Sequence, residues 1–219
     1  KNGLQAGLAF DGDADRCLAV DEKGNMVDGD FLIAICADDM HRRGVLKGNA
    51  VVGTVMTNMG FQKFCEEKGL RFEATKVGDR YVLEEMQLSG YNIGGEQSGH
   101  IIFSDYATTG DGQLTGVQLM SIMKRRNETL SEMANVMKRY PQVLINVKIS
   151  NEMKPKFYTD KAIKAEVKQV TDILGSRGRI LVRVSGTEPL VRVMLEGEDY
   201  QEISVLAEEA ASVVRERLS

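Results

Sequence analysis

Three glycines, Gly44, Gly69 and Gly90, each close a stretch of helical character and are followed by a β-rich one. The helical stretches are residues 31–43, capped by 28–30, then 61–68 and 80–88; the β-rich ones are 50–55, 70–77 and 91–95. Residues 101–104 add a strand, and 113–126 and 130–139 read as two further helices. A chain that alternates in this way has to bury each helix stripe against a sheet, which favours a layered α/β domain. Upstream, residues 6–10 and 17–21 read as two strands, the second closed by the turn Glu22-Lys23-Gly24-Asn25. A lone hairpin is not a domain, so residues 1–27 are expected to be the end of something larger.

The texture changes at Tyr140-Pro141. Pro141 stops the preceding helix, and residues 143–149 alternate as a strand does. A helix over 160–174, strands over 179–184 and 190–195 around a tight loop, and a helix over 201–218 with a 3.6-residue apolar period follow. Residues 140–219 therefore read as a separate small α+β domain of order β-α-β-β-α, after an α/β domain over 28–139.

Composition removes several functions. The 28 basic residues against 32 acidic ones give a net charge of −4, which argues against a nucleic-acid surface. No apolar run approaches the ~20 residues that span a bilayer, and the first ten residues lack a signal-peptide layout. Cys17, Cys36 and Cys65 are scattered and form no C-x-x-C pair, so a reduced, cytoplasmic setting is expected.

Four loops carry candidate chemistry. Asp11-Gly12-Asp13-Ala14-Asp15-Arg16 lies between two strands, and its three alternate carboxylates can converge on a hard cation such as Mg²⁺, with Arg16 beside them to hold a phosphate. A solvated acidic turn is the plainer alternative. An EF-hand is set aside: Glu22 stands at the twelfth position, but Arg16 occupies the sixth, where glycine is needed, and the flanks are strands. In the loop from Gly94 to His100, Glu96 and Ser98 can bond vicinal hydroxyls, and His100 can bind phosphate or shuttle a proton; a glycine-rich turn with incidental polar residues and a structural histidine is an equal alternative. In Arg183-Val184-Ser185-Gly186-Thr187-Glu188-Pro189-Leu190-Val191-Arg192, two hydroxyls, a glycine turn and two arginines suit a phosphate dianion, although a polar-tipped hairpin explains them too. Finally, Arg80 follows Lys76-Val77-Gly78-Asp79 at the start of a helix and can face a ligand, although an ordinary strand-to-helix turn with Asp79 as its cap explains these residues as well.

The conjunction is more specific than its parts. A D-G-D-A-D-R loop, a G-E-Q-S-G-H loop and an R-x-S-G-T-E-P loop, in this order and spacing, resemble the α-D-phosphohexomutases over essentially the whole chain. The resemblance implies that Asp11, Asp13 and Asp15 hold Mg²⁺, with Arg16 and His100 serving the reacting phosphoryl group. Arg80, Glu96 and Ser98 would grip the sugar, and Arg183, Ser185, Gly186, Thr187 and Arg192 the phosphate that is not reacting. Gln97, where the phosphomannomutase/phosphoglucomutase branch usually has methionine, points to the branch acting on hexosamine phosphates, as do V-G-D-R-Y-V at 77–82 and T-T-G-D-G at 108–112. That branch interconverts glucosamine 6-phosphate and glucosamine 1-phosphate through a phosphoserine and a bisphosphate, towards UDP-N-acetylglucosamine.

The family has four domains, and its active serine lies in the first. No loop here matches it, so the chain by itself is expected to be a non-catalytic sugar-phosphate-binding fragment, and a phosphomannomutase/phosphoglucomutase stays the alternative for the intact enzyme. Residues 1–27 would then be the C-terminal end of the second domain, 28–139 the third and 140–219 the fourth; the partner is the N-terminal half of the same enzyme, and a homodimer is compatible with the resemblance. One departure concerns the phosphate loop: Val184 stands where the family commonly has proline, which loosens the turn.

Overall fold

The computed structural model describes residues 3–218, in two compact units that meet between Arg139 and Tyr140.

In the first unit, α1 (Gly29–Arg42) is the central helix. The Asp28 carboxylate caps it by accepting from the Phe31 N–H, and twelve of its 14 residues are buried. The main sheet has the order β5-β4-β6-β7. Here β4 (Ala50–Thr54) runs parallel to β5 (Arg71–Thr75) and β6 (Ile93–Gly95), and β7 (Ile101–Phe103) returns antiparallel to β6. Every residue of β4 is buried, because both of its faces are covered. Val51 packs with Phe31, Phe61, Phe64 and Ile93 on the α1 side. Ala50 and Val52 pack on the other side with Val82 and Met86 of α3 (Asp79–Ser89).

Helices α2 (Met59–Lys68) and α3 end at Gly69 and Gly90, both left-handed (φ 66° and 72°), which is why glycine stands there. Helix α4 (Gly112–Arg126) is capped by Asp111. A small antiparallel sheet, β1 (Ala6–Phe10), β2 (Cys17–Asp21) and β3 (Met26–Val27), contributes Ala19 and Val27 to the α1 core.

Three helices end together in an ion network. Arg42, Lys68 and Arg126 occupy the last turns of α1, α2 and α4, where a cation complements the helix dipole. All three reach the buried Asp38 carboxylate, at 2.9, 3.0 and 3.0 Å. Its neighbour Asp39 pairs with Arg43 and Arg125, each at 2.7 Å. Burial pushes the Asp38 pKa up, but the Lys68 hydrogen bond and the three cations outweigh this and hold it below the usual carboxylate value.

The helix expected over 130–139 is shorter. Only α5 (Leu130–Met133) and one 3-10 turn (Ala134–Val136) form, and Met137 is extended. Tertiary contacts overrule the helical pattern there. The Lys138 carbonyl lies where a side chain on Gly60 would be, and Arg139 reaches back to Asp28 at 2.5 Å and over the Phe31 ring.

The second unit is a three-stranded antiparallel sheet with helices against it. Strand β10 (Leu190–Gly197) lies between β8 (Gln142–Lys148) and β9 (Gly178–Val184). Helices α7 (Lys161–Leu174) and α8 (Tyr200–Leu218) bring Ile163, Val170, Ile203, Ala207 and Val214 against Val191, Val193 and Leu195. A short helix between β8 and α7, α6 (Lys154–Thr159), was absent from the expected order, which becomes β-α-α-β-β-α. It has no buried residue, so the sequence carries no apolar period to announce it.

Candidate functional site

The acidic loop joins β1 to β2. Ala14 adopts a left-handed conformation (φ 60°), which lets the chain curl so that Asp11, Asp13 and Asp15 face one another. One oxygen from each lies within 4.8 Å of the others. Inside the loop, Asp11 Oδ1 accepts from the Arg16 N–H at 3.2 Å, and Arg16 Nε stands 3.7 Å from Asp11 and 3.8 Å from Asp15. Asp15 Oδ1 is buried yet accepts no hydrogen bond from the described residues. Three convergent carboxylates, one with an oxygen that accepts no hydrogen bond, fit a hard, oxygen-seeking cation.

The glycine-rich loop of 94–100 is fastened to the acidic loop by backbone contacts. Arg16 and His100 form an antiparallel bridge, and the Cys17 N–H donates to the Gly99 carbonyl at 3.1 Å. The Gly112 N–H, at the start of α4, donates to the Ala14 carbonyl at 3.0 Å. Glu96 is half-buried, and its Oε1 accepts from the Gly78 N–H at 3.0 Å, which ties the start of α3 to the same loop. Ser98 is exposed.

His100 and Arg80 already have partners within the chain. His100 is buried, and its Nε2 accepts from the Gly110 N–H at 2.8 Å. Its Nδ1 is 3.9 Å from Asp15. The ring thus stands between the Gly110 amide and the acidic loop. Arg80 is exposed and pairs with Glu84 of its own helix at 2.7 Å, so it is not drawn towards Glu96.

Gly29 sets the position of the glycine-rich loop. Its N–H donates to the Gln97 carbonyl at 3.0 Å, and a Cβ there would collide with the Glu96 carbonyl and lie 2.7 Å from the Gly99 nitrogen. Gly29→Ala should cost about 1–3 kcal/mol, the usual range for overpacking against rigid neighbours. It should also shift the amide resonances of residues 96–99. Urea denaturation and amide spectra check it; unchanged values for both would show that the loop is not wedged against α1.

In the second unit, Arg183 on β9 lies directly across from Arg192 on β10. Like charges in that register are destabilising. Arg192 pairs with Glu188 at 2.7 Å, but Arg183 has no ion-pair partner among the described residues, and the Nε of both is buried without an acceptor. Burial first, and the Arg192 charge second, lower the Arg183 pKa. Ser185 is buried, and its Oγ accepts from the Glu188 N–H at 3.2 Å, while Gly186 and Thr187 are exposed. Two guanidinium groups whose Nε atoms lack an acceptor, beside the backbone N–H groups of exposed residues, suit an anion with several oxygens.

Sequence reasoning missed Lys154. It sits at the start of α6, and its Nζ donates to the Ser185 carbonyl at 3.1 Å. Neither a motif nor an apolar period marks it.

Residues 28–140 match the family model described as phosphoglucomutase/phosphomannomutase, alpha/beta/alpha domain III, and residues 144–213 match the C-terminal domain of the same family. The chain is 57% identical over 213 residues to a phosphoglucosamine mutase of Caldanaerobacter subterraneus, with 97% of this chain and 48% of the relative covered. It is 56% identical over 219 residues to one of Thermoanaerobacter sp., with 100% and 49% covered. The chain thus spans about half the length of the curated relatives it matches.

Among solved structures, N-acetylphosphoglucosamine mutase of Aspergillus fumigatus, in complex with GlcNAc-6P and magnesium, superimposes with a TM-score of 0.81 at 21% identity. That match covers 97% of this chain and 49% of the other. At that identity the likeness speaks for the fold. With both units matched, the chain belongs to the phosphoglucomutase/phosphomannomutase family, the α-D-phosphohexomutases.

Proposed function

We propose that this chain is the sugar- and phosphate-gripping half of a phosphoglucosamine mutase that interconverts glucosamine 6-phosphate and glucosamine 1-phosphate. The observation that carries this reading is the cross-strand pair Arg183 and Arg192, whose buried Nε groups lack acceptors. A phosphate dianion supplies what they lack. The names of the most similar relatives supply the amino sugar.

In this reading a phosphoryl group passes from a phosphoserine, in the N-terminal half, to the free hydroxyl of the sugar phosphate. The other phosphoryl group of the resulting bisphosphate then returns to the serine, so substrate and product are isomers and no phosphate is lost. Asp11, Asp13 and Asp15 would hold Mg²⁺, which when bound offsets the charge of the transferring group. Glu96, oriented by the Gly78 N–H, and Ser98 would bond the sugar hydroxyls. Arg183, Arg192 and the amides of Gly186 and Thr187 would hold the phosphate that is not reacting, so that remote binding energy orients the reacting end. Buried thiols fit a reducing, cytoplasmic setting: burial pushes the Cys17 thiol up to about 11, and burial with the Asp39 charge pushes Cys36 up to about 12.

The test uses the full-length enzyme. Arg183→Ala should lower kcat/KM for glucosamine 6-phosphate by about 10- to 150-fold, since a charge-assisted contact contributes about 1.5–3 kcal/mol. Wild-type kcat/KM in that variant would return the loop to an ordinary hairpin. Faster turnover of mannose 6-phosphate than of glucosamine 6-phosphate would move the enzyme to the other branch.

A further inference from the structure

Two contacts hold the 183–192 loop from outside. The Ile149 N–H, just past β8, donates to the Pro189 carbonyl at 3.0 Å, and the half-buried Lys154 ammonium donates to the Ser185 carbonyl at 3.1 Å. Between these anchors, the N–H groups of Gly186 and Thr187 have no acceptor among the described residues, whereas those of Ser185, Glu188 and Leu190 are used within the loop.

We propose that Lys154 is a positioning residue of this loop, fixing the Ser185–Gly186 peptide so that the Gly186 and Thr187 amides stand ready for a phosphate monoester. The inference rests on the phosphate-holding role proposed above. Its physical basis is peptide planarity. In a trans peptide the C=O of one residue and the N–H of the next point in opposite directions. Gripping the Ser185 oxygen on the α6 side therefore directs the Gly186 N–H to the opposite side. A lysine does this without a covalent restraint, in a turn that otherwise depends on Ser185 and a glycine.

The same view gives Val184 a meaning. The Ser185 N–H donates to the Leu190 carbonyl directly opposite, one of the two bonds of a hydrogen-bonded position in the antiparallel ladder, while the Leu190 N–H turns to the Glu188 carbonyl. The adjacent pair, Val184 with Val191, is then of the non-hydrogen-bonded kind. The Val184 N–H thus points to the open edge of β9, the outer strand of its sheet. Proline fits such an edge position without breaking the ladder. Where a proline would stiffen the entry to the turn, this chain has valine and takes its restraint from Lys154.

The experiment titrates the 219-residue chain with inorganic phosphate and with glucosamine 6-phosphate, following the Gly186 and Thr187 amides. Lys154→Met should weaken binding by about five- to tenfold, because the ordering of the turn then falls on the binding step. Lys154→Arg, which can still grip the carbonyl, should stay near wild type and also guards against a folding defect in the methionine variant. Adding Val184→Pro to Lys154→Met should restore most of the affinity. Unchanged affinity in Lys154→Met overturns the proposal. So does failure of the proline to rescue, since the lysine would then act only as a charge. If the unsubstituted chain binds neither probe, the phosphate role of the loop fails. Lys154 is then judged by ¹⁵N relaxation of the ligand-free chain: greater mobility at Gly186 and Thr187 in Lys154→Met upholds its positioning role, and unchanged mobility ends it.

Discussion

Replacing Asp13 with asparagine in the full-length enzyme should lower kcat by about 10²- to 10⁴-fold. Of the three convergent carboxylates, Asp13 is exposed and makes no hydrogen bond or ion pair among the described residues, so its removal leaves the loop's own bonding intact. What it removes is one anionic oxygen of three in a donor set that fits a divalent cation. Such a cation contributes several kcal/mol to phosphoryl transfer, at about 1.4 kcal/mol per tenfold in rate. A stability measurement separates this from misfolding, because the signs differ. Carboxylates within 4.8 Å of one another repel, by under about 1 kcal/mol per pair in water. The asparagine variant of the metal-free chain should therefore be as stable as the parent, or slightly more so. Calorimetry on the 219-residue chain should show Mg²⁺ binding that Asp13→Asn removes. Unchanged kcat together with unchanged Mg²⁺ affinity would place the cation elsewhere.

The second large effect concerns folding. Asp38→Asn should destabilise the first unit by about 3 kcal/mol. Breaking a buried ion pair costs roughly 3–5 kcal/mol when it leaves a buried charge uncompensated. The lower end applies here, because Arg42 and Lys68 are partly exposed and can turn to water, and Arg126 keeps a contact with Asp39. The effect has a pH signature. The folded-state pKa of Asp38 is depressed, so its stabilisation is present above the unfolded carboxylate value near ~3.9 and is lost as pH falls through the lower folded value. Urea titrations should show the full gap between parent and variant at pH 6, narrowing below about pH 4. A gap that stayed constant down to pH 3 would mean that the carboxylate's ionisation is not what joins the three helix ends.

Much of the framework was legible because its signals are local. Gly69 and Gly90 stop α2 and α3 through a left-handed residue, and that requirement is visible in the sequence itself. The long apolar period of α8 is equally plain. Helix α6 was not legible, since six residues with only Phe157 packed against the core make no period. Residues 137–139 misled in the opposite sense: their pattern continues a helix, but contacts from Gly60 and Asp28, distant in sequence, pull them out of it. In the sites, residue types could be read but directions could not. G-E-Q-S-G-H names a histidine without saying that its Nε2 is taken by Gly110, and nothing in the sequence places Lys154 beside a carbonyl 31 residues away.

The Arg183–Arg192 register has a thermodynamic consequence. If the loop holds phosphate as proposed, two guanidinium groups facing each other across adjacent strands, with their Nε atoms lacking acceptors, would make the folded second unit a better anion host than its unfolded chain. By mass action, any multivalent oxyanion that occupies the loop then shifts the folding equilibrium by RT ln(1 + [L]/Kd). The unit's melting temperature would then be a property of protein and buffer together. A comparison of variants in phosphate or sulfate would compress differences that chloride reveals.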